Sequence, residues 1–374
     1  MNRESKIYVA GHNGLVGTAI TEALKKKGYT NIIGRTYEEL DLTQQKETEE
    51  FFTKEKPEVV ILCAAKVGGI MANNTLRAEF IYENLMIEAN VIHASWKNGV
   101  KKLVFLGSSC IYPRDAKQPL KEEYLLTSPL EYTNEPYAIA KIAGLKMCES
   151  YNIRYNTDFI AVMPTNLYGP NDNFNLTGGH VLPSLTRRIH LGKLLEQNDI
   201  QGIRKDLNKR PVDGCNGDET IEDIIMLLDK HGVRQREGSG ERRDSLRDVS
   251  VTVWGTGAPL REFMWSEDMA DATIFIMEKV LFKELIPEGE EIRNTHINIG
   301  TGEEISIRDL AMLLKDTIGL RGDILFDHTK PDGTPRKLID SSKLHKLGFS
   351  HSTSIKEGAR KIYEWYKNSV ERGV

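Results

Sequence analysis

The chain has 374 residues, enough for one large domain or two ordinary domains with a substantial apolar core. Its 50 basic and 54 acidic residues are interspersed and give a net charge of −4, which argues against a nucleic-acid or membrane-surface partner. Four cysteines lie far apart, which argues against a disulfide framework or a metal site, and the N-terminus lacks a signal-peptide pattern. No apolar run approaches the length of a membrane span, so we expect a cytoplasmic protein.

The first predicted strand, at 6–10, ends in a glycine-rich loop that opens into a helix. The G-x-x-G-x-x-G spacing permits a tight turn and lets the backbone and the helix N-terminus approach a pyrophosphate. An ordinary strand-to-helix turn is the alternative, but the strand before the loop and the helix after it favour a dinucleotide site. The residues predicted to contact the cofactor here are Gly11, Asn13, Gly14, Leu15, Val16 and Gly17.

The second predicted strand, at 31–35, ends in a basic residue. An acidic residue at this place accepts hydrogen bonds from a free ribose 2′-hydroxyl, whereas arginine accommodates a 2′-phosphate. Arg35 occurs here with no acid before Glu38, so we predict NADP, unless Arg35 is only a solvated surface charge. Asp41 and Leu42 follow, and we expect Asp41 to cap the next helix or to approach the adenine.

Three nearly continuous apolar runs, at 58–65, 102–107 and 158–164, are typical of strands buried on both faces. With helices between them, they predict an α/β fold with a Rossmann doubly wound parallel sheet. Ligands bind such sheets outside the carboxyl ends of the strands, so the segments that follow the strands should face one cleft. These segments contribute Ala64, Ala65, Ser108, Ser109, Cys110, Pro164, Asn166 and Leu167 to the predicted site.

Two long helical stretches, at 77–97 and 136–151, are apolar on more than one face. The pattern is equally compatible with packing against their own sheet and with a helix bundle formed with a second subunit. On the second interpretation we expect a homodimer.

A tyrosine and a lysine lie four residues apart in the second of these helices, and therefore on one helix face. The ammonium of Lys141 should favour the phenolate of Tyr137, which starts from a pKa of about 10 and could then exchange a proton near neutral pH. The Ser108 hydroxyl could share the hydrogen bonding to a substrate oxygen. Y-x-x-x-K alone is a weak signal, but in a chain with a dinucleotide loop it predicts a site that handles a ketone.

Together these motifs resemble the extended short-chain dehydrogenase/reductase family, and within it the GDP-L-fucose synthases. The resemblance covers nearly the whole chain, with Ser-Ser-Cys at 108–110 and the histidine before Val-Leu-Pro as its most particular features. Asn13 and Tyr37 depart from it, since a second basic residue is usual at those places, and this weakens the NADP prediction without reversing it. The matching segments are 11–17, 64–70, 107–113, 134–144, 163–170, 180–183, 254–257, 259–263 and 330–337.

The resemblance implies an enzyme that epimerises carbons 3 and 5 of GDP-4-keto-6-deoxy-mannose and reduces carbon 4 with NADPH. Ser108, Tyr137 and Lys141 would form the reductase triad, with Lys141 also on the cofactor. Cys110 and His180 would be the acid and base of the epimerisation. His180 is also an expected cofactor contact. The implied substrate contacts are Ser108, Ser109, Cys110, Asn166, Arg188, Trp254, Arg261 and Asp332, with the two arginines on the diphosphate.

An insertion at about 197–249 replaces what resembles a short connection in the family. Apolar residues at helical spacing from Ile221 to Leu228 predict a helix, flanked by a charged segment at 234–247 that we expect to be mobile. The insertion is either a surface hairpin or a lid or subunit contact near the sugar. Because the insertion lies on the sugar side of the fold, a GDP-4-keto-heptose stays a second candidate substrate. A non-catalytic nucleotide sensor is the third alternative.

We predict two domains. An NADP-binding Rossmann domain should comprise residues 1–172 and about 261–300. A domain of about 173–260 and 301–374 should present the GDP-sugar to the cleft.

Overall fold

The computed structural model describes residues 1–235, 248–289 and 291–371, which divide into two compact units. The first unit comprises Met1–Leu167, Glu262–Glu303 and Lys337–Thr353. The second unit comprises Tyr168–Arg261, Glu304–Arg336 and the chain from Ser354 onward. Within the described ranges, no helix is both long enough and apolar enough to cross a membrane.

The helices and strands alternate through the first part of the chain. Up to residue 168 they are β1 (Ile7–Ala10), α1 (Leu15–Lys26), β2 (Ile32–Ile33), α2 (Gln45–Glu55), β3 (Val59–Leu62), α3 (Ile70–Thr75), α4 (Arg77–Lys97), β4 (Lys102–Leu106), α5 (Glu135–Tyr155), β5 (Phe159–Pro164) and β6 (Asn166–Tyr168). Beyond it they are α6 (Val181–Glu196), α7 (Ile200–Lys209), α8 (Ile221–Lys230), β7 (Val233–Gln235), β8 (Val249–Trp254), β9 (Leu260–Arg261), β10 (Phe263–Trp265), α9 (Ser266–Lys279), β11 (Ile297–Ile299), β12 (Ile305–Ser306), α10 (Ile307–Ile318), β13 (Asp323–Asp327), α11 (Ser342–Lys346) and α12 (Ile355–Glu371).

A six-stranded sheet in the order β11-β5-β4-β3-β1-β2 forms the centre of the first unit. Every pairing within it is parallel. The predicted α/β fold with a doubly wound parallel sheet is confirmed. Because the strands are parallel, the loops after β1, β3, β4 and β5 all leave the sheet at its carboxyl edge.

Alternate residues of each strand enter two separate cores, one on each face of the sheet. Tyr8 and Ala10 of β1 pack in the core that α2, α4 and α5 cover, whereas Ile7 and Val9 pack in the core that α1 and α9 cover. β3, β4 and β5 divide in the same way. Since both faces are buried, the strands read as continuous apolar runs instead of alternating ones.

Three expectations differ from the structure, two about the ends of helices and strands and one about the domain to which a segment belongs. The second strand is limited to Ile32–Ile33, and α2 begins at Gln45 instead of after Asp41. Asp41 does not cap that helix, because its carboxylate accepts hydrogen bonds from the amide and the hydroxyl of Thr43, at 2.9 and 2.8 Å. An aspartate bonded two residues ahead forms a local turn that competes with helix capping.

The third difference concerns Lys337–Thr353, which we expected in the second domain and which belongs to the first unit. The amide of Leu120 donates to the carbonyl of Leu338 at 2.7 Å, and Leu120 pairs with Ile339 in a parallel bridge. Ile339 is buried in the core beneath α4 and α5. Main-chain bonds and apolar burial thus hold this late segment against the Rossmann sheet.

The second unit contains a three-stranded sheet in the order β13-β8-β7 and a small pair, β12-β9. The insertion supplies α7, α8 and β7. The predicted helix is confirmed as α8, whose Thr220 hydroxyl accepts from the amide of Asp223 at 3.1 Å. Ile203 of α7 and Leu228 of α8 are fully buried, so this part of the insertion is not a surface decoration. Most of its charged flank, at 236–247, lies outside the described residues.

Candidate active site

The three glycines of the first loop meet different demands. Gly11 has a φ of +80° and lies so close to β3 that a Cβ would be 2.7 Å from the amide nitrogen of Ala64. A Cβ at Gly17 would be 2.1 Å from the carbonyl oxygen of Gly11, so the start of α1 must pack directly on the turn. A Cβ at Gly14 would meet nothing closer than 3.5 Å, and the fold itself does not require glycine there.

Gly14 is the N-cap of α1, and among the described residues no side chain caps this helix. The amides of Leu15, Val16 and Gly17 therefore stand at an uncapped N-terminus, next to a residue that leaves space for close approach. This combination fits a dinucleotide pyrophosphate. Asn13 lies in the same loop.

Arg35 follows β2 and is neither free nor fully solvated. Its Nη1 donates to the Gly34 carbonyl at 2.7 Å, and its Nη2 donates to Glu55 Oε1 at 2.9 Å. The guanidinium also lies over the ring of Phe51. The alternative of a solvated surface charge is therefore wrong, because neighbouring groups orient the guanidinium at the end of β2.

The segments after β3 and β5 are held by buried or partly buried amide side chains, of which the sequence analysis singled out Asn166 but not Asn84. Ala64 and Ala65 lead into Lys66, whose amide donates to Asn84 Oδ1 at 3.0 Å. Asn84 is fully buried on α4 and returns a bond to the Lys66 carbonyl at 3.1 Å. The signal that was available is a pair of polar residues at helical spacing, Asn84 and Glu88, on the buried face of α4.

Pro164 ends β5, and Asn166 donates through Nδ2 to the carbonyl of Glu262 at 2.8 Å. Leu167 packs against the apolar core beneath α1 and α9. These predicted cofactor contacts lie at the same edge of the sheet as the glycine loop.

β4 delivers the serine and the thiol of the predicted site. Ser108 caps a short 3-10 turn, Ser109–Ile111, and its Oγ accepts from the amide of Cys110 at 3.2 Å. Ser109 itself is buried. The Cys110 Sγ accepts hydrogen bonds from Asn134 Nδ2 at 3.4 Å and from Lys337 Nζ at 3.3 Å. Neither of these two donors was predicted as a site residue, although Lys337 ends one of the motifs that carry the family resemblance.

Tyr137 and Lys141 lie on α5 as predicted, but a fourth residue changes their electrostatics. Lys141 is 2% exposed and lies 3.0 Å from Glu88 Oε1 of α4, which is 1% exposed. Lys141 Nζ also donates to the Leu106 carbonyl at 3.1 Å and lies 5.6 Å from the centroid of the Tyr137 ring. Burial raises the pKa of Glu88 to about 7, against the opposing effect of Lys141.

The expectation that Lys141 lowers the pKa of Tyr137 is therefore wrong for this structure. Burial raises the pKa of Tyr137 well above its usual value, and negative charge on Cys110 and Glu88 raises it further. A hydrogen bond with Ser108 opposes this rise only in part. Because burial is the largest cause of this rise, the phenol stays protonated at neutral pH.

His180 belongs to the second unit, where it precedes the first turn of α6. Its ring is exposed, with Nδ1 lying 3.8 Å from the carboxylate of Asp172. A hydrogen bond with Asp172 raises the pKa of His180. Asp172 was missed by the sequence analysis, since a lone aspartate in a loop carries no signal of its own.

The two predicted diphosphate ligands, Arg188 and Arg261, are both anchored by main-chain carbonyls. Arg188 Nη2 donates to Leu176 at 2.7 Å, and its buried Nε has no hydrogen-bond partner among the described residues. Arg261 Nη1 donates to Leu260 and Thr334 at 2.7 and 2.6 Å. Burial lowers the pKa of both guanidinium groups.

Asp332 and Trp254 belong to the same unit as these arginines. Both carboxylate oxygens of Asp332 accept hydrogen bonds from Thr256, from its amide at 2.9 Å and its hydroxyl at 2.7 Å. The negative charge of Asp332 acts on Arg261. Trp254 is 62% exposed, with Lys330 Nζ 5.6 Å from its ring centroid. The ring is thus largely exposed, with the Lys330 ammonium over one face.

Comparison with known proteins agrees with these features. Residues 7–211 and 235–300 match the NAD dependent epimerase/dehydratase family. GDP-L-fucose synthase 1 of Arabidopsis thaliana is 47% identical over 99% of this chain and 95% of its own length. GDP-L-fucose synthase of Escherichia coli (strain K12) is 43% identical over 99% of this chain and 98% of its own length.

Among solved structures, a GDP-D-glycero-L-gluco-heptose synthase from Campylobacter jejuni, determined in the presence of NADPH, is 44% identical. It superposes with a TM-score of 0.88 and covers 98% of this chain and 99% of that chain. The resemblance read from the motifs is confirmed, and the protein is an epimerase and oxidoreductase that uses a nicotinamide dinucleotide cofactor. The chain thus belongs to the NAD dependent epimerase/dehydratase family, and within it to the group of the GDP-L-fucose synthases.

Proposed function

We propose that the protein epimerises carbons 3 and 5 of GDP-4-keto-6-deoxy-mannose and then reduces carbon 4, giving GDP-L-fucose. The observation that carries the proposal is the placement of Ser108, Cys110, Tyr137 and Lys141 at the carboxyl edge of one parallel sheet. Relatives at 47% and 43% identity are GDP-L-fucose synthases. The non-catalytic alternative has no support from these relatives, which are enzymes.

The epimerisation uses the acidity that a ketone gives to its neighbouring carbons. A base removes the proton from carbon 3 or carbon 5 while the electron pair moves to the oxygen on carbon 4, and an acid returns a proton to the opposite face. We assign these roles to Cys110 and His180. Asp172, which raises the pKa of His180, favours the protonated ring that an acid requires. Ser108 and Tyr137 would donate to the developing oxyanion, worth ~3 kcal/mol per donor.

The reduction needs a proton for the carbon 4 oxygen, and the bound nicotinamide cofactor supplies the hydride. A phenol with a raised pKa is protonated at neutral pH and can act as the donor, which suits Tyr137. Lys141, fixed by Glu88 and the Leu106 carbonyl, would also position the nicotinamide ribose. The remaining proposed cofactor contacts are Gly11, Asn13, Gly14, Leu15, Val16, Gly17, Asp41, Leu42, Ala64, Ala65, Pro164, Asn166, Leu167 and His180.

We propose NADP(H) as the preferred form of the cofactor. A guanidinium has five N–H donors in a planar fork that suits phosphate oxygens. The bonds from Arg35 to Gly34 and Glu55 orient this fork without using all of its donors. The heptose synthase structure determined with NADPH supports the same preference.

For the substrate, we propose that Arg188 and Arg261 hold the diphosphate, because the hydrogen bonds of both guanidinium groups go to neutral carbonyls. No acidic group acts on Arg188, whereas Asp332 offsets part of the charge of Arg261. Trp254 and Asp332 would contact the nucleotide, and Ser109 and Asn166 would support the sugar side. Exposed apolar residues on α4 and α5, including Tyr82 and Ile153, support a homodimer through a helix bundle. We place the enzyme in the cytoplasm.

A GDP-4-keto-heptose is the second candidate substrate, because the heptose synthase is as similar to this chain as the fucose synthases are. The deciding experiment presents the purified protein with each keto-sugar and NADPH and identifies the products by NMR. Turnover of the 6-deoxy-hexose with inversion at both carbons supports the proposal. Preferential turnover of the heptose would make the heptose the substrate. Reduction without inversion would rule out the epimerase assignment.

A further inference from the structure

Cys110 has a charged neighbour that the roles assigned above do not use. Lys337 Nζ lies 3.3 Å from its sulfur, and Asn134 Nδ2 lies 3.4 Å from it. The thiol thus receives two N–H donors, one of which carries a full positive charge. Because a thiolate is a far better acceptor than a thiol, this arrangement stabilises the ionised form.

The fold keeps Lys337 in this place through the residues that follow it. The amide of Leu338 donates to Gln118 Oε1 at 2.8 Å, and the amide of Ile339 donates to Glu262 Oε2 at 3.1 Å. The Leu338 carbonyl accepts from Leu120 at 2.7 Å, and Ile339 is buried. Four successive constraints on two residues therefore fix the main chain at the base of the Lys337 side chain.

We propose that Lys337 is a positioning residue that holds Cys110 as a thiolate, so that the base of the epimerisation is ready at neutral pH. The inference deepens the proposed function and rests on it. Lys337 acts through the sulfur and need not touch the sugar.

The other cysteines show what the lysine contributes. Burial raises the pKa of Cys63 to about 12, and it also raises the pKa of Cys148. Burial alone would raise the pKa of Cys110 too, but the charge of Lys337 and hydrogen bonds with Ser108 and Lys337 outweigh it and lower that pKa. Within the described part of the chain, the titratable groups that act on Cys110 or are acted on by it are Lys337 and, from α5, Tyr137.

The charge balance of the step follows directly. The thiolate forms an S–H bond as the C–H bond of the sugar breaks. The electron pair of the C–H bond forms a double bond to carbon 4, and the π pair of the carbonyl moves to the carbon 4 oxygen. One negative charge passes from sulfur to oxygen, and no oxidant or further reactant is needed. Lys337 stabilises the charge before the transfer, and Ser108 and Tyr137 receive it afterwards.

The first test is the pH dependence of the alkylation of Cys110 by iodoacetamide, followed on the Cys110 peptide by mass spectrometry in the intact chain. The wild-type rate should reach half its maximum below the ordinary thiol pKa of about 8.5. Lys337→Gln should raise this midpoint by about one pH unit or more, as expected on losing a cation in contact with the group. Lys337→Arg, which keeps the charge, should restore a low midpoint.

Arg336→Gln is the matched control. It removes a positive charge from the residue before Lys337, and the Arg336 side chain pairs with Glu304 instead of with Cys110. Its midpoint should equal that of the wild type. An equal midpoint in Lys337→Gln and the wild type would overturn the proposal. If Lys337→Gln does not fold, the wild type decides alone, since a midpoint at or above about 8.5 contradicts a stabilised thiolate.

The second test links the charge to catalysis through exchange of solvent deuterium into the keto-sugar. Lys337→Gln should exchange slowly at neutral pH and recover as the pH passes its raised midpoint. A uniform loss at every pH would show a structural role and overturn the proposal. Two results together would separate this proposal from the proposed function. If Lys337→Gln shifts the alkylation midpoint but Cys110→Ser still exchanges deuterium normally, Lys337 does stabilise the thiolate and the proposed role of Cys110 as the base is wrong.

Discussion

The predicted site residues of the two units differ in what neutralises their charge. In the first unit, buried or partly buried charged groups face each other: Lys141 meets Glu88 at 3.0 Å, and Lys337 meets the Cys110 sulfur at 3.3 Å. In the second unit, Arg188 and Arg261 are anchored by neutral carbonyls. The first unit compensates these charges with ionisable partners, whereas Arg188 in the second unit has no acidic partner and leaves its positive charge available.

The difference matches the chemistry proposed for each region. Proton transfer needs groups whose pKa values are set by close partners. A shift of one pKa unit corresponds to about 1.4 kcal/mol, which must come from specific contacts. Capture of a diphosphate needs guanidinium groups that are rigid but not neutralised, since a carboxylate partner would compete with the phosphates. Substitutions in the two regions should therefore fail in different ways.

The largest effect is expected for Tyr137→Phe. The variant keeps the ring, which packs edge-on against Phe80, but loses the proton donor. Reduction of carbon 4 should fall by about 10²–10⁴-fold, while cofactor binding, measured by NADPH fluorescence, should be retained. Near-normal oxidation of NADPH by this variant would show that the proton comes from another group.

Cys110→Ser should separate the two activities of the first unit. A hydroxyl is a far weaker acid than a thiol of pKa about 8.5, so little base is available at neutral pH. Incorporation of solvent deuterium at carbons 3 and 5 should be lost, whereas slow reduction of the unepimerised ketone should remain, as NMR of the products can show. His180→Asn should leave exchange possible but make inversion slow or partial. Normal exchange in Cys110→Ser would mean that the base lies elsewhere.

Arg188→Gln tests the uncompensated charge of the second unit. Loss of a charged hydrogen bond, worth about 1.5–3 kcal/mol, should raise KM for the GDP-sugar roughly tenfold or more with a small change in kcat. Arg204→Gln is a matched control, because Arg204 also donates to main-chain carbonyls, those of Gly217 and Glu219. It should affect stability but not KM. A similar rise in both variants would erase the distinction between the regions.

Arg35→Ala concerns an intermediate case, since Arg35 is partly compensated by Glu55 at 2.9 Å. Removing it should raise KM for NADPH about tenfold through the lost phosphate contact and leave NADH little changed. Initial rates with both cofactors measure this. Equal use of NADPH and NADH by the wild type would contradict the assignment of Arg35 to the 2′-phosphate.

The smallest effect should appear in stability, through Glu88. Its pKa is raised to about 7, so the folded protein keeps a proton that the unfolded chain releases from about pH 4.5 upward. This contribution to the free energy of unfolding is fully present below about pH 4.5 and is lost as the pH rises through about 7. Urea denaturation of Glu88→Gln should lack this loss. Glu83→Gln, on the same helix and paired with Lys66 near the surface, should retain it.

The local patterns of the sequence were sufficient for the sheet, the glycine loop and the placement of the reactive side chains. Runs buried on both faces identify parallel strands, and the order of strands and helices brings Ser108, Cys110 and Tyr137 to one edge. The helix in the insertion was also predictable, because Ile224 and Leu228 recur at helical spacing. Such features depend on residues close together in the chain.

The electrostatics of the site depended on contacts between distant segments. Lys337 and Cys110 are 227 residues apart in the chain, and Glu88 and Lys141 lie on two different helices. No rule of sequence spacing therefore predicts either pair. Asp41 failed as a helix cap because Thr43 engaged its carboxylate first. Sequence alone therefore determined which reactive groups the protein carries and on which elements. Only the tertiary structure decided their charge states, because a pKa is set by burial and by neighbours that folding brings together.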